Sequence, residues 1–287
     1  LHAFLQSVQD GEITGLTSPG IADPLLAMAA DGSGITAADL ANYQPIWREP
    51  LHDQHHGWTV LTNPAPAFGG HIITTALRLL EEYGFAALTQ ALGAATEQVK
   101  TGPAVTTGTT HISIVDAQGM VAAMTTTNGA GGGVLIPGTG IQLNNMLGED
   151  DLIPDGIEAM VPGERLASMS APTIVLAPDG TLTALGSGGS ARIRSALAAV
   201  IVRLRDGRES LADAIAGPRV HLEDSGVVQV EAGLSVESLA QLREYYEVNL
   251  WDRTDFYFGG VNAVQRAADG AVLAVADHRR NGSTAVV

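Results

Sequence analysis

Four threonines surround one glycine in the stretch TTGTTHISIVD, residues 106–116. A hydroxyl is a weak nucleophile until a base takes its proton. A threonine at the start of a chain carries its own base, the free α-amino group, whose pKa of about 8 suits work near neutral pH. The Gly108–Thr109 bond is a candidate for cleavage. Glycine lacks a Cβ and can adopt the strained turn that lets the following hydroxyl attack its carbonyl. An amide-to-ester shift there releases Thr109 as a new chain start. The competing reading of the same residues is a threonine-rich strand edge. The local sequence leaves both open.

Other clusters carry polar chemistry. GSGGSARIRS (186–195) is a glycine-rich turn opening a helix, a pattern that presents backbone N–H groups to an anion. It serves either as an oxyanion hole or as a simple tight turn. It is not a P-loop, because no lysine follows the glycines. TTTNGAGGG (125–133), LNN (143–145) and LASMSAPT (166–173) gather hydroxyl and amide groups beside glycine loops, where they orient a polar substrate or shape turns. The histidines of HDQHH (52–56) invite a metal reading, but no fourth ligand is evident and a solvated loop is the expectation. LGEDDLIPD (147–155) reads as an acidic surface loop, with cation or substrate-amine recognition as the alternative. His111 reads as a strand side chain, since a terminal threonine needs no second base.

The elements that position these groups follow from periodicity. The first hundred residues read as mainly helical with one strand. TAADLANY (36–43) begins with an N-capping threonine, WTVLTN (58–63) is a strand, and HIITTALRLLEEYG (71–84) is an amphipathic helix stopped by Gly84. Residues 85–105 read as a helix and then a loop. From Thr109 onward, alternation predicts hairpins at 109–127, 172–186 and 261–277, turned by AQG, PDG and ADG. GVVQVEAG (226–233) reads as a strand and VESLAQLREYY (236–246) as a helix. Antiparallel hairpins with helices between them predict an α+β layered sandwich.

Composition narrows the function. A net charge of −16 argues against nucleic acid or an anionic membrane surface as partner. With no cysteine, disulfides, thiolate metal sites and a cysteine nucleophile are excluded. The longest apolar run, ALAAVIVRL (196–204), is too short to span a bilayer, which needs about 20 residues. The chain begins at Leu1 with no basic leader, which reads as a truncated or processed start. Nothing in the sequence requires a metal or organic cofactor.

Taken in order, GTTHISIVDAQG, TTTNGAGGG, PGTGIQLNN, SMSAPTIV, GSGGSARIRSA and ADHRRNGSTA resemble the small subunit of the γ-glutamyltransferase family of N-terminal nucleophile hydrolases. ITAADLANYQPIWREPL and NPAPAFGG resemble the end of its large subunit. The resemblance implies a four-layer αββα sandwich. It also implies division into residues 1–108, the last part of the large subunit, and residues 109–287, the small catalytic subunit, joined as a heterodimer after self-cleavage. By the same resemblance Thr109 is the nucleophile and its α-amino group the base, with Thr127 supporting that amine. Gly188, Gly189 and Ser190 form the oxyanion loop. Asn128 and Asn145 contact the donor, Glu149 or Asp150 pairs with its ammonium, and Ser168 holds its α-carboxylate.

The implied reaction is hydrolysis or transfer of a γ-glutamyl group, from glutathione or a related donor, to water or an amine or peptide acceptor. Some positions depart from the family pattern. Ala167 stands where a second serine is expected and Met146 where a glutamine is usual. One residue is missing near Asn128, and the family's carboxylate-binding arginine has no counterpart in the chain. These changes thin the donor pocket and leave the nucleophile apparatus intact. They keep open an acylase for another dicarboxylic acyl amide. An unprocessed, inactive homologue that binds or supports a partner is the non-enzymatic alternative. The resemblance implies a periplasmic or extracellular location, with the cytoplasm left open.

Overall fold

In the computed structural model, residues 1–29, 34–80, 84–99, 108–150 and 152–287 are described. The end of the helix predicted at 71–84, the loop predicted up to residue 105, Thr106, Thr107 and Asp151 lie outside them.

The chain divides into two compact units. The first comprises residues 1–48 and 128–146. It holds α1 (His2–Gln9), α2 (Pro19–Met28) and α3 (Ala37–Asn42). The threonine predicted to cap α3 does so reciprocally: Thr36 accepts from the Asp39 N–H while Asp39 accepts from the Thr36 N–H. Ile21, Leu25, Leu40 and Ile136 form a small core. The glycine-rich segment 129–140 is a loop, as expected.

The second unit comprises residues 49–127 and 147–287. Its centre is a six-stranded antiparallel sheet in the order β1-β2-β5-β6-β10-β11. These strands are β1 (Leu51–His55), β2 (Trp58–Thr62), β5 (Thr173–Leu176), β6 (Leu182–Gly188), β10 (Gly260–Arg266) and β11 (Val272–Val275). The expected hairpins at 172–186 and 261–277 are β5–β6 and β10–β11. The histidine-rich segment is not the loop expected from its polarity. His52 and His55 lie in β1, which pairs with β2, and His56 turns the hairpin with φ +51°. Among the described residues, the first hundred therefore hold two strands rather than one.

Helices α4 (Gly69–Leu79), α5 (Phe85–Glu97) and α6 (Arg192–Val202) form a layer over one face of the sheet. Gly84 caps the start of α5 instead of ending α4. Ile72, Ile73, Leu77, Leu88, Leu185 and Leu197 form the main core between helices and sheet. Burying a side chain of this kind stabilises by about 1.5–3 kcal/mol. The opposite face of the sheet carries the two-stranded β3 (Thr109–Val115) and β4 (Val121–Thr127), the hairpin expected there.

α7 (Leu211–Ala216) follows α6, and a three-stranded sheet then forms from β7 (Val220–Leu222), β8 (Val227–Val230) and β9 (Glu247–Leu250). β8 and β9 run parallel, joined by α8 (Val236–Tyr245). β8 and α8 match the expected strand and helix; β7 and β9 carried no clear sequence signal. Among the described residues no helix is long and apolar enough to cross a membrane.

Candidate active site

The β3–β4 register places Thr109 opposite Thr127 and His111 opposite Thr125. Alternate residues of a strand share a face, so Thr109, His111, Ser113, Thr125 and Thr127 all point to the six-stranded sheet. The outer face carries Ile112, Ile114 and Met124, all exposed, with Ile114 at 57%. This inverts the usual arrangement of apolar inside and polar outside. The polar inner face is satisfied by its own bonds. His111 Nδ1 lies 2.8 Å from Thr125 Oγ1, and its Nε2 lies 2.8 Å from Ser113 Oγ. Burial lowers the His111 pKa to about 4, so the ring is neutral at physiological pH.

The hairpin sits close because the facing strand lacks side chains at two positions. On β6, a Cβ at Gly186 would lie 2.2 Å from the His111 ring, and one at Gly188 would lie 2.3 Å from the Thr109 carbonyl oxygen. Both clash with atoms that cannot easily move. Asn262 of β10 reinforces the contact by donating to the His111 carbonyl at 3.3 Å.

Around the candidate scissile bond the hydroxyls form a short relay. Thr109 Oγ1 donates to Thr127 Oγ1 at 3.1 Å, and Thr127 Oγ1 donates to the Gly108 carbonyl at 2.9 Å. Next to it, β6 runs out through Gly188 and Gly189 into Ser190 and α6. Gly189 has φ +132° and Ser190 φ +51°, a left-handed conformation uncommon for a residue with a side chain.

Two arginines lie against this turn. Arg192 is buried in the first turn of α6, with Nε donating to the Tyr257 carbonyl at 3.3 Å. A Cβ at Gly189 would lie 3.3 Å from Arg280 Nη2, whose guanidinium also stacks 3.7 Å from the Phe256 ring centroid. Arg280 Nε and Nη2 are buried with no hydrogen-bond partner among the described residues. Burial, with Arg192 close by, lowers its pKa to about 10, so it keeps its charge beside the turn. A fixed cation there favours negative charge developing at the loop.

Behind the turn lies a buried ionic cluster. Arg219 pairs with Asp277, and Arg279 pairs with Glu231 at 2.6 Å and with Asp277 at 3.3 Å. Arg219 also donates to the carbonyls of Phe258 and Gly259 at 3.2 and 3.1 Å, and Asp277 accepts from the Val261 N–H at 2.9 Å. This fixes residues 258–261, and a Cβ at Gly259 would lie 3.0 Å from the Gly188 carbonyl. The cluster therefore braces the Gly188–Ser190 turn from behind. Arg219, Glu231, Asp277, Arg279 and Arg280 received no role from sequence reasoning. The signal was present in the HRR run at 278–280, basic residues in a chain with few of them.

The expected donor-binding residues divide between the two units. Ser168 is held by residue 68, whose N–H donates to its carbonyl at 2.9 Å, and its Oγ accepts from the Ser170 N–H at 2.9 Å. Glu149 is buried and Asp150 exposed, a distinction the sequence did not supply. Asn128 and Asn145 belong to the first unit. Asn128 Nδ2 donates to the Gln142 carbonyl at 3.3 Å, and Asn145 Oδ1 accepts from the Gly131 N–H at 3.0 Å, so both shape the glycine loop. Among the described residues no three His, Asp or Glu side chains converge as for a metal.

Comparison with known proteins identifies the family. A family model described as Gamma-glutamyltranspeptidase matches residues 19–101 and 93–287. The Acylase ACY 1 proenzyme of Pseudomonas sp. (strain SE83) is 31% identical over 315 residues, covering 91% of this chain and 56% of that protein. The Glutathione hydrolase proenzyme of Bacillus subtilis (strain 168) is 25% identical over 325 residues, covering 88% of this chain and 55% of that protein. The chain thus spans about half the length of the curated relatives it matches. The solved transpeptidase CapD of Bacillus anthracis aligns with 30% identity and a TM-score of 0.50, covering 62% of this chain and 99% of that one. The cephalosporin acylase of Bacillus halodurans shares the fold, with a TM-score of 0.76 at 22% identity over 94% of this chain and 59% of that one. The fold is α+β, of the αββα N-terminal nucleophile hydrolase type; this chain contributes a helical layer, the six-stranded sheet and two strands facing it. The chain belongs to the gamma-glutamyltranspeptidase family.

Proposed function

We propose that this protein cleaves its own Gly108–Thr109 bond and then uses Thr109 to hydrolyse or transfer the acyl group of γ-glutamyl amides. The observation that carries the reading is the relay from Thr109 Oγ1 through Thr127 Oγ1 to the Gly108 carbonyl, set against Gly188. Thr127 polarises the Gly108 carbonyl and accepts the hydrogen bond of the attacking hydroxyl. In maturation, Thr109 Oγ1 bonds to the Gly108 carbonyl carbon, its proton passes to the amide nitrogen, and the C–N bond breaks to leave an ester. Water hydrolyses that ester, giving a Gly108 carboxylate and a free Thr109 amine.

In turnover the amine takes the Thr109 hydroxyl proton as Oγ1 attacks the substrate carbonyl. Backbone N–H groups of the Gly188–Ser190 loop hold the oxyanion, with Arg192 and Arg280 adding positive potential. The leaving amine takes the proton, and water or an acceptor amine resolves the acyl ester. Ser168, Glu149 or Asp150, Asn128 and Asn145 are assigned to the donor by likeness to the family. Residues 1–108 and 109–287 become the end of a large subunit and a small subunit, joined as a heterodimer. Export to the periplasm or cell exterior belongs to the same proposal.

The higher identity to an acylase, together with Met146 and Ala167, favours a second reading in which the acyl group is another dicarboxylic acid. Rates on a γ-glutamyl anilide and a glutaryl anilide separate the two, because these differ only by the α-amino group. N-terminal sequencing of the purified protein is expected to find a chain starting TTHISIVD. Thr109→Ala is expected to abolish that chain and all turnover. A wild-type chain that stays unbroken, or a Thr109→Ala variant that is still cleaved and active, refutes the reading.

A further inference from the structure

Asn262 lies on β10 directly opposite Gly186 of β6. Gly186 leaves room for the His111 ring, and Asn262 reaches the carbonyl of that same residue, with Nδ2 donating at 3.3 Å. Asn262 Oδ1 accepts from the Asp277 N–H at 3.1 Å. We propose that Asn262 is a positioning residue for the nucleophile: its side-chain amide ties the strand that carries Thr109 to Asp277, and so sets where Thr109 stands against the Gly188–Ser190 turn. The effect on turnover rests on Thr109 being the nucleophile; the tie itself does not.

The chemistry of the two bonds carries the inference. A backbone N–H can only donate and a carbonyl can only accept. The group between the Asp277 N–H and the His111 carbonyl must therefore accept at one end and donate at the other. A neutral amide does both, and these two partners fix which way it points. A carboxylate of the same size accepts but cannot donate, and an aliphatic side chain does neither. The fit is close, because a Cβ at Gly282 would collide with Asn262 Oδ1.

Asp277 is a rigid anchor. It is fully buried, its carboxylate holds Arg219 and Arg279, and it accepts from the Val261 N–H at 2.9 Å. Through Arg219 the same cluster holds the carbonyls of Phe258 and Gly259, which lie behind the turn. One buried cluster thus fixes both halves of the site, the turn through Gly259 and the β3 strand through Asn262. His111 is two residues from Thr109 on β3, so a shift of its carbonyl carries Thr109 with it. A displacement of about 1 Å at a reacting group costs on the order of 100-fold in rate.

The test compares wild type with Asn262→Leu, which keeps the size and makes neither bond, and Asn262→Asp, which keeps only the bond to Asp277 at neutral pH. Self-cleavage and kcat are expected to fall roughly tenfold or more in both, with KM within about twofold, because binding groups are untouched. Hydrogen exchange at neutral pH is expected to quicken in β3 and β4 and to stay as in wild type in α6. A variant that only lost overall stability would exchange faster in every element. The proposal is overturned if both variants cleave and turn over at wild-type rates, if only KM moves, or if exchange in the hairpin is unchanged or rises equally in α6. A wild type that never cleaves refutes the role of Thr109, and hairpin exchange in the two variants then decides on Asn262 alone. If Asn262→Leu fails to fold, Asn262→Asp gives the same decision.

Discussion

Lowering the pH from neutral to 4 sets His111 against its own burial. In an unfolded chain a histidine takes up its proton near pH 6.5. Folded His111 is 4% exposed, and its pKa is lowered to about 4 because the charged ring would be desolvated between β3, β4 and Gly186. Between these pH values the unfolded state binds a proton that the folded state does not, so stability falls as pH falls. The stability tied to the neutral ring is fully present above pH 6.5. The gap between 6.5 and about 4 corresponds to ~3 kcal/mol lost by pH 4, at 1.36 kcal/mol per pH unit. For a chain of this size that is roughly 6–12 °C in melting temperature. His221 is buried and shifted in the same direction, so the wild-type slope contains both. His111→Gln keeps hydrogen-bonding capacity toward Thr125 and Ser113 but does not titrate. Melting curves of wild type and His111→Gln from pH 7 to pH 4 are compared. The variant is expected to lose less stability over this range, by about the amount above, whatever its stability at pH 7. Equal slopes, or an NMR titration of His111 near 6.5, would refute the reasoning.

Two substitutions probe the hairpin contact and the relay. Gly188→Ala forces a Cβ to within 2.3 Å of the Thr109 carbonyl oxygen, with backbone on both sides. It is expected to destabilise by roughly 1–3 kcal/mol or more and to block cleavage, read by melting temperature and intact mass. A fully cleaved, equally stable variant would show that the contact is not tight. Thr127→Val keeps the volume and removes the hydroxyl that joins Thr109 to Gly108. Cleavage is expected to slow on the order of 100-fold, as for loss of one donor to a developing oxyanion. A gel time course matching wild type would remove Thr127 from the maturation step.

The sequence determined a good deal by itself. Alternation around AQG, PDG and ADG located three hairpins, because side chains on a strand repeat every second residue and turn glycines punctuate the runs. Thr36 announced α3 as the N-capping threonine before its helical run. The ordered motifs made the family legible and singled out the Gly108–Thr109 bond as the candidate for cleavage. Polarity misled at HDQHH, because β1 is the edge strand of its sheet and tolerates exposed polar side chains. It was silent at β7 and β9, each too short to show a period.

Only the tertiary structure decided the rest. Pairing at a distance set Thr127 against Thr109, although 17 residues lie between them in the chain. No local rule reveals that Gly186 and Gly188 are small because His111 and Thr109 lie against them. Nor does sequence spacing show that Arg219, Glu231, Asp277 and Arg279 meet in one buried cluster, or that Arg280 reaches back to Gly189. Charge and hydrogen-bond compensation act through space, and burial, which makes them strong, exists only once the layers have packed.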